Sequence, residues 1–259
     1  TGAPPPGGTT GRIFTFGSYR MGVHQQGADI DTLCITPAPV GREDFFSSLF
    51  KILDNRKEVT ELTSVPDAYV PVIKLEFNGI PIDLLHAKLD RETINSEVDL
   101  LDVSLLKALD YKSVLSLNGC RVTDQILQLV PDVHTFRLAL RAIKMWAKRR
   151  AIYSNAMGFL GGVAWAMMVA RVCQLYPNAC AATLVSRFFR VYQQWSWPNP
   201  VMLCTLQDAG LGFTVWNPKS NPRDNGHLMP IITPAYPAMN STHNVMSSNL
   251  RLLMAEFKR

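Results

Sequence analysis

Charge is scarce in this chain. Only 18% of its 259 residues are Asp, Glu, Lys or Arg, against 47% apolar residues, which excludes a disordered, solvated polypeptide and predicts well-filled cores. No Cys-x-x-Cys pair occurs, and the five cysteines (Cys34, Cys120, Cys173, Cys180, Cys204) are odd in number and widely spread. That excludes a paired disulfide framework and a zinc ribbon and fits a reducing compartment. Thr1 to Thr10 are rich in Pro, Gly and Thr but lack a basic patch followed by an apolar segment, so they read as a linker and not a signal peptide. The one uncharged run of bilayer length, Ala151 to Ala170, is interrupted by Tyr153, Ser154, Asn155 and three glycines. It reads as a buried helix, and no membrane association is expected. There is no internal repeat.

What is present is a modest basic excess, +5 with a pI near 9.0, which permits a polyanionic partner. The length exceeds that of a typical single domain, so two domains are expected. From Ile13 to about His86, short β-branched runs broken by Gly, Asn and Pro alternate with one helix-like stretch, Arg42 to Leu53. From about Leu101 onward helical patterns dominate, including Arg137 to Arg150 and Gly158 to Tyr176. Residues 217–244, rich in Pro, Asn and Ser, read as an extended, packed loop. The expectation is therefore an α+β fold: a linker over 1–12, a mixed-sheet domain over 13–103, and a mainly helical domain over 104–259.

Asp29-Ile30-Asp31-Thr32-Leu33-Cys34-Ile35 reads as a strand, on which Asp29 and Asp31 share a face. Two carboxylates so close repel, and the simplest compensation is a hard divalent cation such as Mg²⁺ or Mn²⁺. An Asp-x-Asp triplet alone is weak evidence. A third acid follows from register: Ile73, Leu75 and Phe77 alternate with Lys74 and Glu76, and Asn78-Gly79 supplies a two-residue hairpin turn. Phe77 then opposes Ile80 and Lys74 opposes Asp83, leaving Asp83 on the polar face. Seen alone, Lys74 and Asp83 are an ordinary cross-strand ion pair. Upstream, Phe16-Gly17-Ser18 places a small turn where backbone and hydroxyl could meet phosphate oxygens.

Together, the Gly-Ser turn, the paired aspartates and the later strand aspartate resemble the active-site pattern of the DNA polymerase β-like nucleotidyltransferases. The run from Phe14 to Arg20, with Gly22-Val23-His24 and Gly27-Ala28-Asp29-Ile30-Asp31, is similar to the eukaryotic nuclear poly(A) polymerases. So are Ser116 to Asp124, Trp146 to Arg150, Tyr153-Ser154-Asn155, Gly158 to Gly162 and His227 to Pro237. The resemblance implies a polymerase β-like catalytic domain followed by a helical central domain, and template-independent addition of AMP from ATP to an RNA 3′ end. It implies that Asp29, Asp31 and Asp83 hold two metal ions, Mg²⁺ or Mn²⁺. Phe16, Gly17, Ser18, Gln25 and Ile30 would line the nucleotide site, Lys144 would contact the triphosphate, Tyr153 and Asn155 would help hold the nucleotide, and Gly162-Val163 would let base or sugar approach a helix start. Asn118 would lie near the RNA primer end. By the same resemblance the protein is expected to be nuclear and monomeric, with cleavage and polyadenylation factors as partners.

The residues by themselves say less about these positions. Arg137, Arg141, Lys144 and Lys148 form one stripe of a helix and Phe136, Leu140, Ile143 and Ala147 another, a pattern that equally describes a solvated amphipathic helix. Tyr153, Trp146, Trp195 and Trp197 read as packing aromatics. His24 and His86 flank the carboxylates but have no partner at ligand spacing, so local hydrogen bonding or packing is expected of them. Family members carry a helical segment before the Gly-Ser turn and an RNA-binding domain after the helical one, and neither is expected within these residues. Gln25-Gln26 stands where many members carry Lys or Thr, which would weaken one phosphate contact. The competing expectations are a uridylyl- or CCA-adding transferase with the same carboxylates, and a non-catalytic RNA-binding fragment.

Overall fold

A computed structural model describes residues 11–94 and 97–259; the linker reading of Thr1 to Thr10 lies outside them. The chain forms two compact units, Thr1–Thr123 and Asp124–Arg259.

The first unit is built on a five-stranded mixed sheet in the order β1-β2-β5-β4-β3. Its strands are β1 (Arg12–Thr15), β2 (Ile30–Thr36), β3 (Val59–Val65), β4 (Val72–Phe77) and β5 (Ile80–Lys88). Only β2 and β5 run parallel. A short helix, α1 (Gly17–Arg20), follows β1, and the stretch expected to be helical after Arg42 is continuous from α2 (Arg42–Asp44) through a π-helical turn (Phe45–Leu49) to α3 (Phe50–Asp54). The β4–β5 hairpin has the anticipated register, Phe77 opposite Ile80 and Lys74 opposite Asp83. Asn78 and Gly79 both take positive φ, 49° and 76°, the conformation a tight hairpin turn demands. Alternation then separates two faces. Ile73, Leu75 and Leu84 are buried with Phe45, and Phe46, Leu49, Phe50 and Leu53 pack on them, so the α2–α3 segment covers one side of the hairpin. Phe77 and Ile80 do not join this core; at the hairpin tip they are 38% and 48% exposed.

The second unit is helical: α5 (Val133–Arg149), α6 (Gly162–Leu175), α7 (Ala181–Gln193), α8 (Pro222–Asn225) and α9 (Ser247–Lys258). The boundary falls within α4 (Tyr111–Leu129), whose first turn is capped by the Asp110 carboxylate accepting from Ser113 N at 3.1 Å. Asp132 caps α5 by accepting from His134 N and Thr135 N. Its apolar stripe, Phe136, Leu140, Ile143 and Ala147, is buried as the spacing requires. Helix α6 begins at Gly162 and not at Gly158, which takes a left-handed φ of 78° and ends the preceding turn. Residues Ala164 to Ala170 of α6 are all buried, and no helix among the described residues is long and apolar enough to cross a membrane. Aromatic rings hold α5, α6, α7 and α9 together: Trp146 meets Trp165, Phe189 and Phe257, and Phe188 meets Trp165 and Tyr192. Trp195 and Trp197 pack on Tyr192. In the loop over 217–244, Met229, Ile231, Ile232, Ala235 and Ala238 are buried.

Candidate active site

In the first unit, strand pairing brings two of the three aspartates together. Asp31 on β2 and Asp83 on β5 are direct register partners across the parallel pair, so both carboxylates leave the same face of the sheet at the same level. Thr32 ties the strands there, its hydroxyl donating to the Asp83 carbonyl at 3.1 Å. The strand begins at Ile30; Asp29 therefore stands just before the ladder, exposed, and not within a strand as its alternation suggested. Lys74, opposite Asp83 on β4, donates to Asp83 Oδ2 at 2.6 Å. With side chains 50% and 23% exposed, this pair contributes little stability, but it fixes one oxygen of Asp83. Among the described residues no group of three or more His, Cys, Asp and Glu side chains is close enough to form a ready metal cage. The donor set suits a hard cation nonetheless, since Asp31 and Asp83 present carboxylate oxygens on paired positions.

The Gly-Ser turn lies against this pair. Phe16 N donates to the Asp31 carbonyl at 3.0 Å, extending the β1–β2 ladder into the turn. Gly17 takes φ +60°, and a Cβ built there would stand 2.2 Å from Asp31 Oδ2. Glycine meets both the dihedral and that approach without strain, whereas any larger residue would push the carboxylate aside. Ser18 is half-buried in α1, its carbonyl accepting from Val23 N. On α4, Gly119 does for Phe16 what Gly17 does for Asp31: a Cβ at Gly119 would meet the Phe16 ring at 2.6 Å. Asn118, one residue earlier, encloses its side-chain oxygen without a hydrogen-bond partner. Gln25 is exposed in the loop before Asp29.

His24 is exposed and its ring lies 5.0 Å from that of Tyr19. His86 is buried, stacks on Phe45 and lies 2.8 Å from the Thr36 hydroxyl. That hydroxyl donates to the Val40 carbonyl at 2.9 Å, so it accepts from His86 Nε2–H and leaves Nδ1 as the bare acceptor. Burial first, then the Arg42 cation, lowers the His86 pKa to about 4.

In the second unit, Tyr153, Gly162 and Lys148 come together. A Cβ on Gly162 would stand 2.8 Å from the Tyr153 hydroxyl, and Lys148 Nζ lies over the Tyr153 ring at 5.4 Å. Asn155 and Val163 are exposed beside them in sequence at the entry to α6. Lys144 is only 6% exposed, which the alternative of a solvated face for its stripe does not describe.

Residues 7–130 match the model of the poly(A) polymerase nucleotidyltransferase domain, and residues 135–259 that of the poly(A) polymerase central domain. The chain belongs to the poly(A) polymerase family. It is 60% identical over 250 residues to a poly(A) polymerase of Dictyostelium discoideum, covering 96% of this chain and 30% of that protein. It is 60% identical over 247 residues to nuclear poly(A) polymerase 4 of Arabidopsis thaliana, covering 95% and 33%, and 57% identical over 249 residues to nuclear poly(A) polymerase 1 of that plant, covering 96% and 35%. The chain thus spans about a third of these relatives' length. Among solved structures, the Cid1 poly(U) polymerase aligns with a TM-score of 0.59 at 14% identity, covering 96% of this chain and 79% of that one. A cytoplasmic RNA terminal U-transferase aligns with a TM-score of 0.61 at 17% identity, covering 96% and 79%. These likenesses establish the nucleotidyltransferase fold.

The sequence reading of this poly(A) polymerase family member missed Gly119 and Thr123 as parts of the turn's support. The signal available was small: a glycine and a threonine four apart in Ser116 to Asp124, hence on one helix face.

Proposed function

We propose that this chain carries the nucleotide-transferring part of a nuclear polynucleotide adenylyltransferase, joining AMP from ATP to an RNA 3′ hydroxyl. The observation that carries the reading is the register pairing of Asp31 with Asp83 beside the Gly17 turn. The names of relatives that are 57–60% identical to it over the aligned residues favour adenine and the nucleus.

In the reaction the 3′ oxygen bonds to the α-phosphorus of ATP, the bond from that phosphorus to the bridging oxygen breaks, pyrophosphate leaves and the hydroxyl proton passes to solvent. Asp29, Asp31 and Asp83 would hold two divalent ions, Mg²⁺ or Mn²⁺. When bound, such ions supply charge neutralisation on the attacking and leaving oxygens, which is most of what phosphoryl transfer asks of a protein. The chain's own side chains position the reactants. Gly17, by carrying no side chain, leaves room for the Asp31 carboxylate, Phe16 and Ser18 with Gln25 and Ile30 line the nucleotide, and Asn118 offers its unpartnered oxygen to the primer end. Lys144 contacts the triphosphate. Tyr153, Asn155 and Gly162-Val163 receive base or sugar, the glycine leaving room beside the tyrosine hydroxyl. RNA, and in the full-length protein the cleavage and polyadenylation factors, are the partners.

The test is extension of an oligo(A) primer by the full-length protein with each of the four nucleotides separately, at Mg²⁺ or Mn²⁺ concentrations in the millimolar range. ATP should be incorporated preferentially, and Asp29→Ala should abolish incorporation without altering the circular dichroism spectrum. Equal use of UTP would refute the adenine assignment, and normal extension by Asp29→Ala would refute the metal site.

A further inference from the structure

Thr123 lies on α4, the helix that supports the turn before the catalytic strand, and is 2% exposed. Its hydroxyl donates to the Gly119 carbonyl four residues back, at 2.8 Å. The same oxygen accepts from Gly17 N at 3.1 Å. Gly17 opens α1, and its N–H is one of the donors a helix start leaves without an intrahelical partner. Here the partner comes from a residue 106 positions away. One hydroxyl thus joins the α4 backbone to the backbone of the turn.

The consequence reaches the carboxylate through contact. Gly17 sits so close to Asp31 that even a methyl group would overlap Oδ2, so any shift of the turn changes the space that carboxylate occupies. The neighbouring Phe16 is held on both sides, by its N–H on the Asp31 carbonyl and by its ring on Gly119. Gly119 is also the residue whose carbonyl receives the Thr123 hydroxyl. Three hydrogen bonds and two close approaches therefore meet in one arrangement of Phe16, Gly17, Asp31, Gly119 and Thr123.

We propose that Thr123 is a positioning residue for nucleotidyl transfer: its hydroxyl fixes the Gly17 turn and through it the orientation of the Asp31 carboxylate. The proposal rests on the metal-site reading of Asp31. Thr123 is buried with its hydroxyl engaged by Gly17 and Gly119, and valine, of the same shape but without the hydroxyl, removes the link while filling the same volume. Loss of the acceptor leaves Gly17 N–H without a partner, and the turn moves to find one.

The experiment compares Thr123→Val and Thr123→Ser with the unmodified full-length enzyme. It measures kcat, the KM for ATP, the Mg²⁺ concentration giving half-maximal rate, and hydrogen–deuterium exchange of the segment 12–20. Thr123→Val should lower kcat by about tenfold to a hundredfold, the range of a sub-ångström to ångström misplacement. It should also raise the half-maximal Mg²⁺ concentration several-fold and speed exchange at Gly17. Thr123→Ser keeps the hydroxyl and should restore all three to within about threefold. A merely structural role would lower stability equally in both variants and leave the Mg²⁺ requirement unchanged. Equal kinetics for Val and Ser, or a Val enzyme with normal kcat and Mg²⁺ requirement, overturns the proposal. If Val does not fold, Ser with slowed kcat and fast Gly17 exchange overturns it, whereas a Ser enzyme with normal kcat and unchanged Gly17 exchange supports it. Asp31→Ala serves as the control for the underlying reading. Turnover by that variant refutes the metal site itself, and its inactivity alongside a normal Thr123→Val refutes only the role of Thr123.

Discussion

Gly17→Ala separates the folding role of the Gly-Ser turn from its chemical one. The added Cβ would stand 2.2 Å from Asp31 Oδ2 and 3.1 Å from its Cγ, where ordinary contact needs roughly 3.5 Å. Relief requires the carboxylate to retreat by roughly 1 Å. The obstructing atoms belong to the end of a side chain, which can swing, so the clash costs the fold little. The backbone term remains: φ of +60° costs an alanine about 1–2 kcal/mol, or a fall in melting temperature of roughly 2–8 °C for a protein of this size. The chemical term is larger, because about 1 Å of misplacement at a reacting centre costs on the order of a hundredfold in rate. The assay is the initial rate of oligo(A) extension at saturating ATP and Mg²⁺ in the full-length enzyme, alongside thermal unfolding followed by circular dichroism. A variant that melts within this range yet keeps more than a tenth of the normal kcat would show that Gly17 does not set the position of Asp31.

Two further outcomes follow from the same packing. Gly119→Ala gains about 1 kcal/mol of helix propensity but drives a Cβ to 2.6 Å from the rigid Phe16 ring. Overpacking of about 1–3 kcal/mol should win, lowering the melting temperature and raising the KM for ATP; a more stable variant with unchanged KM would refute the contact. For His86, burial and Arg42 lower the pKa from 6.5 to about 4, against the opposing pull of Asp110 and Asp44. The unfolded chain takes up this proton near pH 6.5 and the folded chain only near 4, so stability is complete above 6.5 and declines as pH falls towards 4, by at most about 3 kcal/mol. His86→Phe should flatten that part of the curve in urea unfolding at pH 7 and 4.5, and an unchanged slope would count against it.

Much of the site was legible in the sequence because the signals were local. Alternation from Ile73 to Phe77 and the Asn78-Gly79 turn determine the hairpin register, since a two-residue turn with both φ positive leaves one way to pair the strands. The same register carries Asp83 opposite Lys74. The apolar spacing of α5 likewise determines which of its side chains are buried, apart from Lys144. What local signals do not contain is which strand lies beside which. Only the tertiary structure decided that β5 runs parallel to β2, setting Asp83 level with Asp31 across 52 positions of sequence. Only the structure decided that Thr123 reaches Gly17, and that Gly17 and Gly119 are needed for the carboxylate and the ring pressed against them. The reason is that dihedral preference and periodicity act over a few residues, whereas these contacts join segments far apart in the chain and exist only once the sheet has been assembled.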